Sequence, residues 1–304
     1  MRGLRQWGSW LLLLGAAVLL CACGGVNPAG GSGVVVLDVG HFVGGEGAQS
    51  PGLVGGVRLG ENAFWYRYCY DVKRVIERAG YRCYVCNRGY VPTQEPLASY
   101  ARRARVVGLR HPDRNGARYP SRYFPDRVAS GMVSADYAIY RRADAVVFLH
   151  HNSSGSGWGH PTRGVVLANR YNGRPLAQCI ADALNRRVLN HGMPNGGQNC
   201  TVQVRYRDAD RAAGWLNACD DAGIAAAVTE AAFLNNREHV AFLATESGAR
   251  RFAEAVGQGV VDFLRSGRMR RHRRADPFRA DEGSFGAAPE SRRLSVPGAR
   301  LLLR

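Results

Sequence analysis

The sequence predicts an α/β domain, a three-layer sandwich in which helices flank a mostly parallel sheet. Three observations predict it. Short strand-like runs lie at 34–39, β-branched and buried, at 145–149 and at 224–229, the last so apolar that both its faces must be covered, as in a parallel sheet. Segments with helical spacing of apolar residues lie between the strands. Glycines mark the boundaries, so the two periodicities alternate along the chain.

The elements follow in order. The first strand, 34–39, ends at Gly40, and a Gly-rich loop runs to Gly60. Glu61 opens a long helix closed by Gly80, a residue suited to the left-handed cap. Residues 81–86 form the second strand. Residues 88–130 are rich in Arg, Pro, Gly and Tyr and form an insertion with one short helix near 97–107. Insertions of this length are often functional. The insertion suits a lid or a regulatory segment, and its arginines and aromatics (Tyr90, Tyr100, Tyr119, Tyr123 and Phe124) suit a glycan-stacking surface or a small packed subdomain. A helix over 133–142 leads into the strand at 145–149. A Gly/Ser loop over 150–162, a strand over 163–168 and an amphipathic helix over 176–189 follow. Residues 191–222 are expected to be irregular, with one strand at 202–205. After the strand at 224–229, a helical region spans 237–264 with a break near 246–248. The folded domain is therefore 34–265.

The ends of the chain differ in character. Arg2 and Arg5 precede an apolar stretch at 10–20 and then small residues, the layout of an export signal over residues 1–23. The stretch is shorter than the ~20 residues that span a bilayer. Residues 20–25, LCACGG, are similar to a bacterial lipobox, which implies a lipid anchor at Cys23 in the outer membrane. Simple secretion to the periplasm is the alternative, because Cys21 is unusual in such a signal. Residues 24–33 read as a flexible linker. Residues 266–304 hold ten arginines against four acids with no hydrophobic period, the composition of a disordered basic tail.

The formal net charge is +17, and Lys73 is the single lysine. Such a field favours an anionic partner: a cell-wall polymer, an acidic membrane surface or nucleic acid. No zinc-finger, RNA-recognition or helix-turn-helix pattern is present, and export argues against nucleic acid. Export also means an oxidising compartment, where one or two disulfides are expected among Cys69, Cys83, Cys86, Cys179, Cys200 and Cys219. Cys83 and Cys86 lie in a strand, where residues three apart face opposite sides, so they do not form a metal knuckle.

The metal-type residues fall at strand ends. His41 lies two residues past the first strand, His150 at the end of the third, and Glu230 at the end of the strand at 224–229. Glu61 begins the helix that returns from the first strand. Ligands of open parallel sheets bind at the carboxyl ends of strands. Two imidazoles and a carboxylate are a common catalytic zinc shell with one open position, and a second carboxylate can take the proton of a water. Three of His41, Glu61, His150 and Glu230 can be ligands and one the base; spacing does not assign the two glutamates.

Residues 36–45, VLDVGHFVGG, resemble the Asp-Pro-Gly-His-Gly-Gly opening of the type 3 N-acetylmuramoyl-L-alanine amidases. Glu61 and Asn62 resemble the start of that family's first helix. Residues 143–152, ADAVVFLHHN, are similar to its Ala-Asp-x-x-Ile-Ser-Ile-His-Ala-Asn segment. Residues 162–165, TRGV, are similar to its Arg/Lys-Gly strand start, and 228–236, VTEAAFLNN, to its Val-Glu-Leu-Gly-Phe-Leu-Ser-Asn close. The segments come in family order over residues 34–265. The resemblance implies a phosphorylase/hydrolase-like fold. It also implies a zinc ion held by His41, Glu61 and His150, Glu230 as the catalytic carboxylate, and peptidoglycan as substrate. The chain departs from the pattern at Val39 (usually Pro), at Phe42, which follows His41, and at His151 (usually Ala). His151 is an alternative ligand, but a strand end aims only one of two adjacent residues at an ion, and His150 is preferred. His160 is expected to face substrate or solvent, and Asn152 to support the His150 loop. The same metal shell would serve an exported zinc carboxypeptidase or aminopeptidase. A non-catalytic wall-binding lipoprotein is the remaining alternative. A monomer is expected.

Overall fold

The computed structural model describes residues 33–41, 47–86, 130–159, 163–205 and 211–267. The expected signal segment and nearly all of the linker, of the insertion and of the basic tail lie outside these residues, as do Phe42 and His160. In chain order the elements are β1 (Val34–Val39), α1 (Glu61–Arg78), β2 (Arg82–Cys86), α2 (Ser130–Tyr140), β3 (Ala145–Leu149), β4 (Val165–Ala168), α3 (Gly173–Arg187), β5 (Thr201–Val204), α4 (Arg211–Asp221), β6 (Ala225–Glu230), α5 (Arg237–Leu243) and α6 (Glu246–Arg265).

The six strands form one sheet in the order β2-β1-β3-β6-β4-β5. β2, β1, β3 and β6 pair in parallel, β4 is antiparallel to β6, and β5 pairs in parallel with β4. The mostly parallel sheet is therefore as expected, with two reversed strands at one side. Register levels the strand ends. Val39 pairs with Leu149, and Leu149 pairs with Thr229. His41, His150 and Glu230 consequently leave the sheet at one edge.

Alternation along β1 builds the two cores. Val35, Leu37 and Val39 join one buried cluster with Phe64, Trp65 and Ile76 of α1, Leu176 and Ile180 of α3, and Phe252 and Val256 of α6. Val34 and Val36 join the other with Tyr137 of α2, Phe148 of β3, and Leu216 and Cys219 of α4. Helices thus cover both faces, giving three layers. Asp38 breaks the apolar pattern of β1: it is fully buried on the second face and accepts a hydrogen bond from the Ser134 hydroxyl of α2. Burial raises its pKa; the Ser134 hydrogen bond and the charges of His150 and His41 act the other way.

Several expectations are corrected. α4 occupies a stretch expected to be irregular; Gly214 inside it and the Arg/Asp-rich run before it mask a period that burial of Leu216 and Cys219 enforces. β4 begins at Val165, and β6 runs on to include Glu230. The helical region breaks at Thr245, whose hydroxyl caps α6 by accepting from Gly248 N–H at 3.1 Å. Cys69, Cys83, Cys86 and Cys200 are buried free thiols rather than disulfide partners. Cys83 and Cys86 face opposite cores, as alternation requires. Burial pushes the thiols of Cys69 and Cys200 up to about 12 and raises those of Cys83 and Cys86 as well, so all four stay protonated.

Candidate metal centre and active site

Glu61 stands at the first position of α1 with its side chain buried. Its Oε2 accepts from Ala48 N–H at 2.7 Å and its Oε1 from His151 N–H at 3.0 Å. The same carboxylate meets both rings: Oε1 is 2.8 Å from His150 Nδ1, and Oε2 is 3.1 Å from His41 Nε2. Burial opposes ionisation of Glu61 most strongly, but hydrogen bonds from His150 and His41, with their charges, hold its carboxyl far below the usual range.

His41 reaches this point because the chain turns sharply after β1. Its φ is +69°, a left-handed conformation uncommon outside glycine. Asn62 Nδ2 stabilises the turn by donating to Gly40 O at 2.8 Å and to His41 O at 3.4 Å. His150 follows β3 directly, and its N–H donates to Thr229 Oγ1 at 3.1 Å, which fixes it beside β6. Burial lowers the pKa of His150, yet the hydrogen bond to and charge of Glu61, with the charges of Glu230 and Asp38, push it up to about 9.

One nitrogen from each imidazole and one oxygen of Glu61 lie within 4.8 Å of one another. Two further observations fit an ion here. The buried Nε2 of His150 has no hydrogen-bond partner. Two glycines keep the space open: a Cβ on Gly40 would come within 2.3 Å of the His150 ring, and one on Gly47 within 2.4 Å of Glu61 Oε2 and 2.5 Å of His41 Nε2. Imidazole nitrogen and carboxylate oxygen are donors that suit a borderline divalent ion.

The structure brings His41, Glu61 and His150 together and sets Glu230 at the adjacent strand end, electrostatically coupled to His150. His151 is not part of the group. Its ring stacks on Trp65 (centroids 5.0 Å apart, 28° between planes) and meets Phe64 edge-on at 4.6 Å, buried among aromatic side chains. Burial holds its pKa at about 3, so the ring is neutral. Asn152 does support the loop: its backbone accepts from Leu234 N–H and donates to Ala232 O, and its side chain accepts from Ser153 N–H at 2.7 Å. Sequence reasoning missed Gly47, Thr229 and Trp215, which packs on His150. Thr229, one residue before a candidate carboxylate, was discoverable; Trp215 lay in the stretch expected to be irregular.

This sheet, with a His–Glu–His group and a neighbouring carboxylate at its carboxyl edge, defines an α/β enzyme domain with a candidate divalent-metal centre. The family model of N-acetylmuramoyl-L-alanine amidase matches residues 35–262. The chain belongs to that family and is a cell-wall amidase. Solved structures share the fold. AmiC2 of Nostoc punctiforme is 16% identical with a TM-score of 0.50, covering 77% of this chain and 98% of its own. The CwlD amidase from Clostridioides difficile, determined in complex with the GerS lipoprotein, gives 16%, 0.50, 77% and 99%. The catalytic domain of CwlV from Bacillus (Paenibacillus) polymyxa var. colistinus gives 15%, 0.50, 77% and 98%. A comparison with curated proteins gives no match.

Proposed function

We propose that the chain is an exported, zinc-dependent enzyme that hydrolyses the amide between N-acetylmuramic acid and L-alanine in peptidoglycan. Residues 34–265 form the amidase domain, His41, Glu61 and His150 hold the ion, and Glu230 is the catalytic carboxylate. The observation that carries this reading is the meeting of three ligand atoms within 4.8 Å at the sheet edge where β6 ends in Glu230.

When bound, zinc supplies Lewis-acid polarisation of the amide carbonyl and a water whose pKa is lowered toward ~7. The chain's own groups do the rest. Glu61 orients both imidazoles through its two oxygens, and Thr229 anchors His150 through its backbone N–H. The Glu230 carboxylate takes a proton as the water oxygen bonds to the carbonyl carbon. It then delivers that proton to the L-alanine nitrogen as the C–N bond breaks. The export segment, a lipid anchor at Cys23 and a basic tail that tethers the enzyme to anionic wall polymer complete the proposal; their support is the sequence at residues 1–23 and 266–304.

Digestion of purified sacculi tests it. New L-alanine amino termini should appear, vanish with a chelator and return with zinc. Cleavage of free peptides but not of sacculi would make the enzyme a peptidase. Absence of stoichiometric zinc together with no cleavage would leave a non-catalytic wall binder.

A further inference from the structure

The loop that precedes Glu61 and the segments that follow His150 and Glu230 meet at Trp158. Trp158 lies eight residues past His150 and packs in part on the main core. Its edge faces Gly52, in the loop that leads to Glu61, where an added Cβ would rest 3.7 Å from the indole. The guanidinium carbon of Arg237, seven residues past Glu230, stands 4.8 Å from the centre of the ring.

The arrangement is fixed rather than incidental. Asn152 bridges Phe233, Gly159 N–H donates to Asn235 O at 2.8 Å, and Asn235 Nδ2 donates to Ser154 Oγ at 2.9 Å and Gly157 O at 3.2 Å. Asn236 Oδ1 then accepts from Glu238 N–H and His239 N–H, which sets the backbone on either side of Arg237. The guanidinium is exposed, and no carboxylate pairs with it among the described residues. Held over the face of an indole, its rotamer freedom is already restricted, which favours capture of a carboxylate by its N–H donors.

We infer that Arg237 and Trp158 form a subsite for a carboxylate of the stem peptide, on the leaving-group side of the scissile amide. The inference rests on the amidase reading. Where the residue after the L-alanine is acidic, its α-carboxyl is either a free carboxylate that a guanidinium can pair with or an amide that it cannot. A few peptide residues reach ~10 Å beyond the scissile amide, and Arg237 follows the Glu230 strand end by seven residues. Arg237 therefore determines specificity: it distinguishes the free acid from its amide.

The test uses N-acetylmuramoyl-L-alanyl-D-glutamate and the matching D-isoglutamine compound, each with its γ-carboxyl blocked as the methylamide so that the pair differs only at the α-carboxyl, with the full chain and with Arg237→Gln, Arg237→Lys and Trp158→Leu. Wild type should show a KM about tenfold lower for the free acid. Arg237→Gln should erase that difference by raising KM for the acid while kcat stays within about twofold, and the amide should be unaffected. Arg237→Lys should retain part of the preference; Trp158→Leu should weaken it. An unchanged ratio of the two substrates in Arg237→Gln overturns the subsite. If wild type cleaves neither compound, the amidase reading fails instead, and calorimetric binding of L-alanyl-D-glutamate still decides the subsite. Equal affinity in wild type and Arg237→Gln, or no binding to either, overturns it.

Discussion

The indole of Trp215 lies over the imidazole of His150, with ring centroids 5.8 Å apart and planes 23° from parallel. Trp215 also meets Phe148 at 5.4 Å, and Gly131 of α2 lies so close that a Cβ there would come within 2.3 Å of the indole. A candidate ligand is thus held from one side by α4 and from below by Thr229. Contacts that orient a ligand typically carry about 10- to 100-fold in metal affinity. Trp215→Leu should weaken zinc binding by at least about tenfold, and Trp215→Phe should keep most of it. Chelator competition measures this, with circular dichroism checking the fold.

The two glycines that bound the site make a second prediction. Gly40→Ala places a methyl group against the His150 ring, and Gly47→Ala places one against Glu61 and His41 while also adding a side chain at φ +69°. Both should lower zinc affinity by about 100-fold or more. For Gly40→Ala the melting temperature of the metal-free protein should fall by only a few degrees, because the strand core beneath is untouched.

Adjacent histidines should respond differently. His150→Ala removes a proposed ligand and should lose zinc. His151→Leu should retain zinc and activity, since His151 is stacked among Trp65, Phe64 and Phe252. Its buried ring nitrogens have no hydrogen-bond partners, so an apolar side chain of similar volume should leave stability unchanged or raise it by about 1 kcal/mol. Metal content and melting temperature of the two variants check the assignment.

A buried histidine outside the site gives the pH dependence. His239 Nδ1 accepts from Phe233 N–H at 3.0 Å, and its Nε2 lies 2.7 Å from Pro194 O, so the ring is neutral with the proton on Nε2. Burial lowers its pKa below the ordinary 6.5. The unfolded chain therefore binds a proton there before the folded chain does. The stabilisation is fully present above about pH 6.5 and is lost as pH falls toward the lower folded value. The stability difference between wild type and His239→Gln should shrink as pH falls from 7 to 5, read from denaturant unfolding at each pH.

Much of the fold was legible because apolar strands and capped helices leave local signals. β1 carries an apolar run broken only by Asp38 and β3 an unbroken one, and both have the expected bounds. Gly80, at φ +91°, closes the helix opened by Glu61. The four candidate residues were legible because they sit at strand ends and a helix start. α4 was not, because its helicity comes from burying Leu216 and Cys219 against strands far away in sequence. The fate of the cysteines was not legible either: Cys69 and Cys83 share one core as thiols, a pairing outcome that depends on three-dimensional geometry. Trp215 inherits the invisibility of its helix, and the roles of Gly40 and Gly47 depend on close approaches that no spacing reveals.

The central claim is that His41, Glu61 and His150 bind the ion while Glu230 handles the proton. Zinc content and sacculus hydrolysis, measured together on Glu230→Gln, separate these roles most directly. The account predicts one zinc per chain, as in wild type, with hydrolysis reduced by about 10² or more. Hydrolysis by Glu230→Gln at the parental rate, or loss of its zinc, would contradict it.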